Sequence, residues 1–400
     1  MDFLIARDDL EQTRFAEAPP LEAGPGQAVL RVDRFGLTSN NITYAQFGVA
    51  MSYWNFFAAP EGWGRMPVWG FAEVSASNAD GLEVGTRVYG YLPPSTELLV
   101  EPTRVGPQGF VDGAAHRAAL PAAYNGYSAT TADPVYDADH EDEQMLLRPL
   151  FFTSWLIDDF LRDSELFGAP TVVLSSASSK TSSALAFLLA HDHAAEVVGL
   201  TSARSCEFTR GLGVYDHVIS YEEMDSLPQG RAVYVDMAGN ADVRTAVHEH
   251  FGGDLAHSAV VGATHHDSMG AVPETLPGPR PTFFFAPDRV AKRSAEWGRP
   301  GLEQRIADSW KPYLGWVGGW LKVIHGSGGD AVDAAYKDLL AGRIDPASAH
   351  VLTLQGCSPG SRASDAARYP VWPPASGYRL LTARRTAGEP APPMGPSPLH

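Results

Sequence analysis

Residues 172–183 read V-V-L-S-S-A-S-S-K-T-S-S and gather small hydroxyl side chains and one ammonium on a single turn. A compact β-branched run, TVVLSS (171–176), leads into it, and a helical Ala/Leu pattern, TSSALAFLLAHD (181–192), leads out. A strand–turn–helix unit that binds a dinucleotide wants glycines here, for the tight turn, for close approach of backbone to pyrophosphate and for helix-on-strand packing. Serines stand at that spacing instead, Ser176-x-x-Ser179-x-x-Ser182, with Ser178 between them. Serine is small and brings a hydroxyl that can donate to a phosphate oxygen. The start of the helix supplies free N–H groups and the positive end of a dipole. Lys180, followed by Thr181, adds a full positive charge. The pattern predicts a phosphate cradle built from hydroxyls and an ammonium. A P-loop is excluded by Ser179 and Leu174, which stand where that motif has glycines. A Ser-x-x-Lys nucleophile pair is excluded because Ala177 lies three residues before Lys180. A Ser-rich helix cap that holds no ligand stays open.

A second signal follows the next strand-like run, EVVGLTS (196–202), which passes into Ser202-Ala203-Arg204. An acid at this edge would select NAD, whereas an arginine accommodates the 2′-phosphate of NADP. No acid is present and Arg204 is, so the expected dinucleotide is NADP(H). A third feature is YWNFFAAPEGWG (53–64), in which Tyr53, Trp54 and Phe57 read either as the wall of an apolar substrate pocket or as rings packed into a core. The histidine pairs (His191/His193, His248/His250, His265/His266) read as surface residues rather than ligands, because residues two apart on a helix do not share a face. The acidic stretch 137–142 lacks the glycine and spacing of a calcium loop and reads as a solvated connector.

The elements that must position these groups fall into two parts. Before about residue 130, short strand-like runs with Gly/Pro punctuation (26–37, 66–77, 81–92, 97–105) suggest a small barrel or sandwich. A helix-like run at 144–163 follows the connector. From 171 onward strands (171–176, 196–202, 217–221, 231–239, 256–266, 281–287) alternate with helices (181–192, 205–213, 241–253), the mark of a parallel doubly wound sheet. Residues 301–325 read as helical, 331–346 as a helix and 350–356 as a last strand. The tail 386–400, with five prolines, reads as disordered. Four hundred residues suggest two or three domains. With 44% apolar and 19% charged residues, wholesale disorder is excluded. A net charge of -17 argues against nucleic acid or an anionic membrane as the main partner. Two cysteines cannot make a disulfide framework or a four-thiolate metal site. An acidic start and the lack of a long apolar run point to a soluble cytoplasmic protein.

Taken together, the motifs over about residues 1–360 resemble the medium-chain dehydrogenase/reductase superfamily, in its zinc-free quinone-reductase-like branch. GQAVLRVDRFGLTSNNITYAQFG (26–48) resembles its opening strand and Asn-containing loop, and MPVWGFAEV (66–74) its Pro-x-x-x-Gly-His-Glu segment. LEVGTRVYGY (82–91), the serine turn and LGVYDHVISYEE (212–223) resemble its Gly-Asp-Arg-Val turn, its Gly-rich turn and its Leu-Gly-Ala-Asp segment. The serine turn together with DEQMLLRPL upstream is closest to a bacterial offshoot known only as a domain of unknown function, which names relatives and no activity. The resemblance implies an α/β architecture. A GroES-like β-barrel domain would occupy 1–140, completed by about 326–385, and a Rossmann-type nucleotide domain 145–325.

The departures matter too. Ser39-Asn40-Asn41 and Gly70-Phe71-Ala72 stand where zinc members carry Cys and Gly-His-Glu, so no metal is expected. Without zinc another group must protonate or stabilise the developing oxyanion. Tyr44 is the expected proton donor, Asn41 orients cofactor or carbonyl, and Thr43 lies beside them. By resemblance Tyr221 lies near the adenosine phosphate. Gly262 and Thr264 end the strand beside the nicotinamide, and Phe284 and Phe285 supply backbone to its carboxamide. The implied protein is a homodimeric, metal-free NADPH-dependent reductase of an activated C=C or C=O in an apolar or aromatic small molecule. Two alternatives remain: a non-redox lyase or hydrolase acting on a CoA-type acyl thioester, and a catalytically silent binding protein.

Overall fold

The computed structural model describes residues 1–17, 19–191, 195–261 and 276–355. The 386–400 tail, residues 356–385, Gly262 and Thr264 lie outside the described residues.

Six strands form a parallel sheet in the spatial order His217–Ser220, Glu196–Thr201, Thr171–Leu174, Ala232–Asp236, Leu255–Val260, Thr282–Phe283. The order reverses between the Thr171 and Ala232 strands, so the turn that leaves Leu174 sits at the switch point where doubly wound sheets bind ligands. The inner strands are buried on both faces and are therefore rich in Val and Leu without a polar alternation. Helices Lys180–His191 and Ala241–Phe251 connect them.

The second body is a curved, mostly antiparallel sheet. Its long strands Ala28–Leu37, Val68–Ser77 and Arg87–Leu92 pair in sequence, and Gly126–Ala129, Gly109–Asp112 and Pro102–Gly106 extend it. Late in the chain, Ser348–Thr353 returns to pair antiparallel with Ala28–Leu37 (His350 opposite Leu37) and parallel with Lys322–Ser327. A glycine at position 70 is required by close approach: a Cβ there would lie 2.4 Å from the Arg34 carbonyl oxygen. Between the two bodies runs the long helix Glu141–Asp163. Its Met145, Leu146 and Phe151 join Phe71 and Tyr89 of the barrel and Trp310 and Tyr313 of the helix Ala286–Val317 in one buried cluster. The expected fold class, barrel plus Rossmann-type sheet, is the one found.

Three local expectations differ. The Asn-containing loop is a helix, Ser39–Gln46. The strand read over 281–287 stops at Phe283, because Pro287 starts a helix, where its missing N–H costs nothing. The helix read over 301–325 ends at Val317, before Gly318-Gly319, and Lys322–Ser327 is a strand. Among the described residues no helix is long and apolar enough to cross a membrane.

Candidate functional site

Ser175 fixes the start of the turn. Fully buried, it donates its hydroxyl to Asp236 Oδ1 (2.9 Å) and accepts from the Met237 and Ala238 N–H groups (2.9 and 3.0 Å). Asp236, at the end of the neighbouring strand, is faced in turn by Arg244. Ser176 then takes a left-handed backbone, φ 52°, a conformation that costs a non-glycine residue about 1–3 kcal/mol. Tyr221 helps to hold it: Ser176 N–H donates to the Tyr221 hydroxyl at 2.9 Å. The Ser176 carbonyl accepts from Ser179 N–H at 2.8 Å. The close-packing role expected of a turn glycine has moved to Gly199 on the adjacent strand, where a Cβ would lie 2.8 Å from both Ala177 Cβ and the Tyr215 ring.

The partly buried serines beyond are half-used. Ser178 Oγ accepts from the Thr201 hydroxyl (3.2 Å), and Ser179 Oγ accepts from Ser182 N–H (3.2 Å). Each keeps its own O–H to donate elsewhere, because a hydroxyl both donates and accepts. The N–H groups of Ser178, Lys180 and Thr181 have no acceptor among the described residues. Unpartnered N–H groups at a helix start are donors of the kind that can hold an anion. Ser202 Oγ donates to Ser205 Oγ (3.2 Å), and Arg204 is exposed just past the Glu196–Thr201 strand, with no acid at that strand end.

Lys180 departs from expectation. Its ammonium donates to the carbonyls of Pro346 (3.1 Å) and Ser348 (2.9 Å), in the segment that returns to the barrel. Burial pushes its pKa down to about 8, opposed by Asp345. It ties the two bodies together and is not a free charge at the turn.

On the barrel side the residues are more fully committed. Asn41 is 4% exposed. Its Oδ1 accepts from Thr38 N–H (2.8 Å) and the Thr38 hydroxyl (3.3 Å), and its amide donates to the Pro67 carbonyl (3.1 Å). It is a capping-box residue. Trp54 is 2% exposed, and a Cβ at Gly48 or Gly64 would fall 2.1 or 2.3 Å from its indole, so it fills a core slot. Tyr44 and Tyr53 pack ring to ring at 4.7 Å, and Tyr44 meets Tyr91 edge-on at 5.6 Å. Burial holds the Tyr44 phenol far above its ordinary range and Tyr53 at about 12, so both stay protonated. Thr43 is partly exposed on the same helix. Phe57 lines a separate cavity of the barrel. Phe285, 52% exposed, leads into the Ala286 helix, with Phe284 N–H held by the Val260 carbonyl (2.9 Å).

Sequence reasoning missed Trp69 and Tyr124. Trp69 donates Nε1–H to the Tyr44 hydroxyl (3.4 Å), stacks on Tyr89 at 5.6 Å and meets Tyr124 at 6.0 Å. Its signal was present in MPVWGFAEV: Trp69 alternates with Phe71, which places both on one face of the strand. Ser175 and Asp236 were also missed, and nothing local in the sequence links them.

A family model described as a protein of unknown function, DUF2855, matches residues 35–345. The chain belongs to the DUF2855 family. No curated protein matches it at a significant level. Among solved structures it is similar to CurA from Vibrio vulnificus in complex with NADPH, at TM-score 0.57 and 14% identity, over 88% of this chain and 97% of that one. CurK enoyl reductase matches at TM-score 0.54 and 14% identity, over 88% and 98% of the two chains. E. coli K-12 YhdH with bound NADPH matches at TM-score 0.51 and 14% identity, over 89% and 100%. At this identity the likeness establishes a shared fold.

Proposed function

We propose that this chain is a metal-free, NADPH-dependent reductase of an activated C=C or C=O in an apolar or aromatic carbonyl compound. The observation that carries the reading is the set of unused donors at the switch point: three backbone N–H groups and two serine O–H groups, with Arg204 and no acid at the next strand end. That set suits a pyrophosphate and a 2′-phosphate. Similar folds that hold NADPH, CurA and YhdH, support the choice of ligand.

When bound, NADPH supplies the hydride. Ser178, Ser179 and the N–H groups of Lys180 and Thr181 hold the phosphates, Arg204 and Ser202 the 2′-phosphate side, and Tyr221 keeps the strained turn open. Gly262, Thr264 and Phe285 are assigned to the nicotinamide end by the family resemblance alone. Tyr44, kept neutral by burial, is the proton donor, and the Trp69 N–H on its oxygen favours release of that proton by stabilising the phenolate that remains. Thr43 and Tyr53 complete the substrate side. With serine and asparagine at 39–41 and Phe71 in the second motif, the family's zinc positions carry no ligand set. A homodimer working in the cytoplasm completes the reading. The acyl-thioester alternative would set a phosphorylated group on Lys180 and the same serines, and the Lys180 ammonium is engaged elsewhere.

The test is a tryptophan-fluorescence titration with NADPH and NADH, followed by NADPH oxidation at 340 nm with enones and quinones. Saturable NADPH binding below about 1 mM, tighter than NADH, is expected, since working affinities fall in this range. No binding at that concentration would sink the reading.

A further inference from the structure

Lys180 faces two ways. Its backbone N–H lies among the unspent donors of the serine turn. Its side chain leaves the turn, and its ammonium donates to the Pro346 and Ser348 carbonyls (3.1 and 2.9 Å). These two bonds close loops of 166 and 168 residues.

The segment it holds is itself well tied. Ser348 N–H donates to the Asp345 carbonyl (2.8 Å), Ala347 N–H to Asp345 Oδ1 (3.0 Å), and Lys322 N–H to the Ala347 carbonyl (2.8 Å). Asp345 and His350 face the ammonium from the same stretch of chain.

From Ser348 the connection to the barrel is short. The strand Ser348–Thr353 pairs with Ala28–Leu37, with His350 opposite Leu37 and Leu352 opposite Phe35. Thr38 follows directly and caps the helix Ser39–Gln46, which carries Thr43 and Tyr44. That helix is pinned to its strand. Thr38 and Asn41 close the capping box, and Asn41 donates to the Pro67 carbonyl (3.1 Å). Tyr44 packs on Tyr53 (4.7 Å) and Tyr91 (5.6 Å). A force on Ser348 is therefore passed to the strand, the helix and both tyrosines together.

The two bodies also share the buried cluster of Met145, Leu146, Phe151 and Trp310 with Phe71 and Tyr89. Apolar packing is non-directional, so it brings surfaces together without fixing their register. Two charge-assisted hydrogen bonds to carbonyls do fix it. Resting on the reductase reading, we propose that Lys180 is a positioning residue: through the Pro346 and Ser348 carbonyls it holds the barrel wall that carries Tyr44 and Tyr53 in working register with the serine turn. Its side chain touches neither phosphate nor substrate. A misplacement of about 1 Å can cost about 100-fold in rate. The signature of such a residue is a loss of kcat with binding kept.

The test uses the full chain and Lys180→Met, which keeps the stem and removes the ammonium. For an enone or quinone that the wild type reduces, kcat is expected to fall about tenfold. NADPH affinity by tryptophan fluorescence and the substrate KM each stay within about threefold. Hydrogen exchange without cofactor gives a readout independent of turnover: the Ser348–Thr353 strand exchanges faster in Lys180→Met, and Gly109–Asp112, far along the barrel sheet, does not. Asp345→Ala, at a side chain 54% exposed, loosens the same carbonyls without opening the core. It should repeat the kinetic pattern at about threefold. An unchanged kcat in both variants, an NADPH affinity that falls as far as kcat, or unchanged exchange of the Ser348–Thr353 strand would overturn the assignment. A wild type that binds no NADPH would sink the reductase reading first and the positioning role with it, so the two failures are told apart by which protein shows them.

Discussion

The serine turn and the Asn41 helix start are both polar, both at helix N-termini and both singled out by residue type, yet they end in opposite conditions. At the turn, Ser178 and Ser179 each accept one bond and keep an O–H, and three N–H groups wait for an acceptor. At the Ser39–Gln46 helix, Asn41 spends its oxygen on Thr38 and its amide on Pro67. The difference teaches that polarity at a helix start is not the signal of a site. Unspent donors are. A helix start leaves four N–H groups without intrahelical partners, which side chains, water or a ligand take up.

Four substitutions break or sharpen this contrast. The largest effect is expected from Ser178→Asp, which sets a negative charge among the unspent donors. NADPH affinity should fall about 100-fold, near 2.7 kcal/mol, with the melting temperature little changed. A titration with parallel thermal melts checks this, and unaltered affinity would mean the donors serve no phosphate. Next, Asn41→Ala should cost about 1–2 kcal/mol of stability, the scale of a lost cap, and leave NADPH affinity alone. Denaturant midpoints and the same titration separate the two. A lost cofactor with intact stability would return Asn41 to the site.

Arg204→Ala should follow, with about a tenfold loss for NADPH and none for NADH, since only the 2′-phosphate is addressed. Lys180→Met should change NADPH affinity by no more than about threefold, because the ammonium lies on the Pro346 and Ser348 carbonyls. Its signature is in pH instead. The Lys180 pKa falls from 10.5 to about 8 on folding, so between those values the unfolded chain binds more protons and stability rises with pH. Lys180→Met should flatten that rise in urea melts run from pH 7 to 10.5. A retained slope would assign it to another group.

Much of the architecture was legible because period and punctuation are local. The strand–helix alternation after 171 gave the parallel sheet. Gly213 and Gly342, both at positive φ, mark the ends of helical runs as read. The misread boundaries at 281–287 and 301–325 had local signals too, Pro287 and Gly318-Gly319, outweighed by apolar runs around them. The site was less legible. Residue type singled out Ser178, Ser179 and Arg204, which are proposed to hold the cofactor. It also picked out Trp54, whose slot between Gly48 and Gly64 is made by residues six and ten positions away. Nothing in the local sequence shows that Lys180 will reach position 346, or that Ser175 will meet Asp236 on a neighbouring strand.

The chain by itself determined which segments become strands and helices, that the turn after Leu174 carries hydroxyls in place of glycine, and that no acid stands at Arg204. These follow from side-chain chemistry and spacing over a few residues. Only the tertiary structure decided which polar groups were left over. That is a matter of pairing: a donor is free or spent according to acceptors brought from distant parts of the chain, and the fold alone sets those distances.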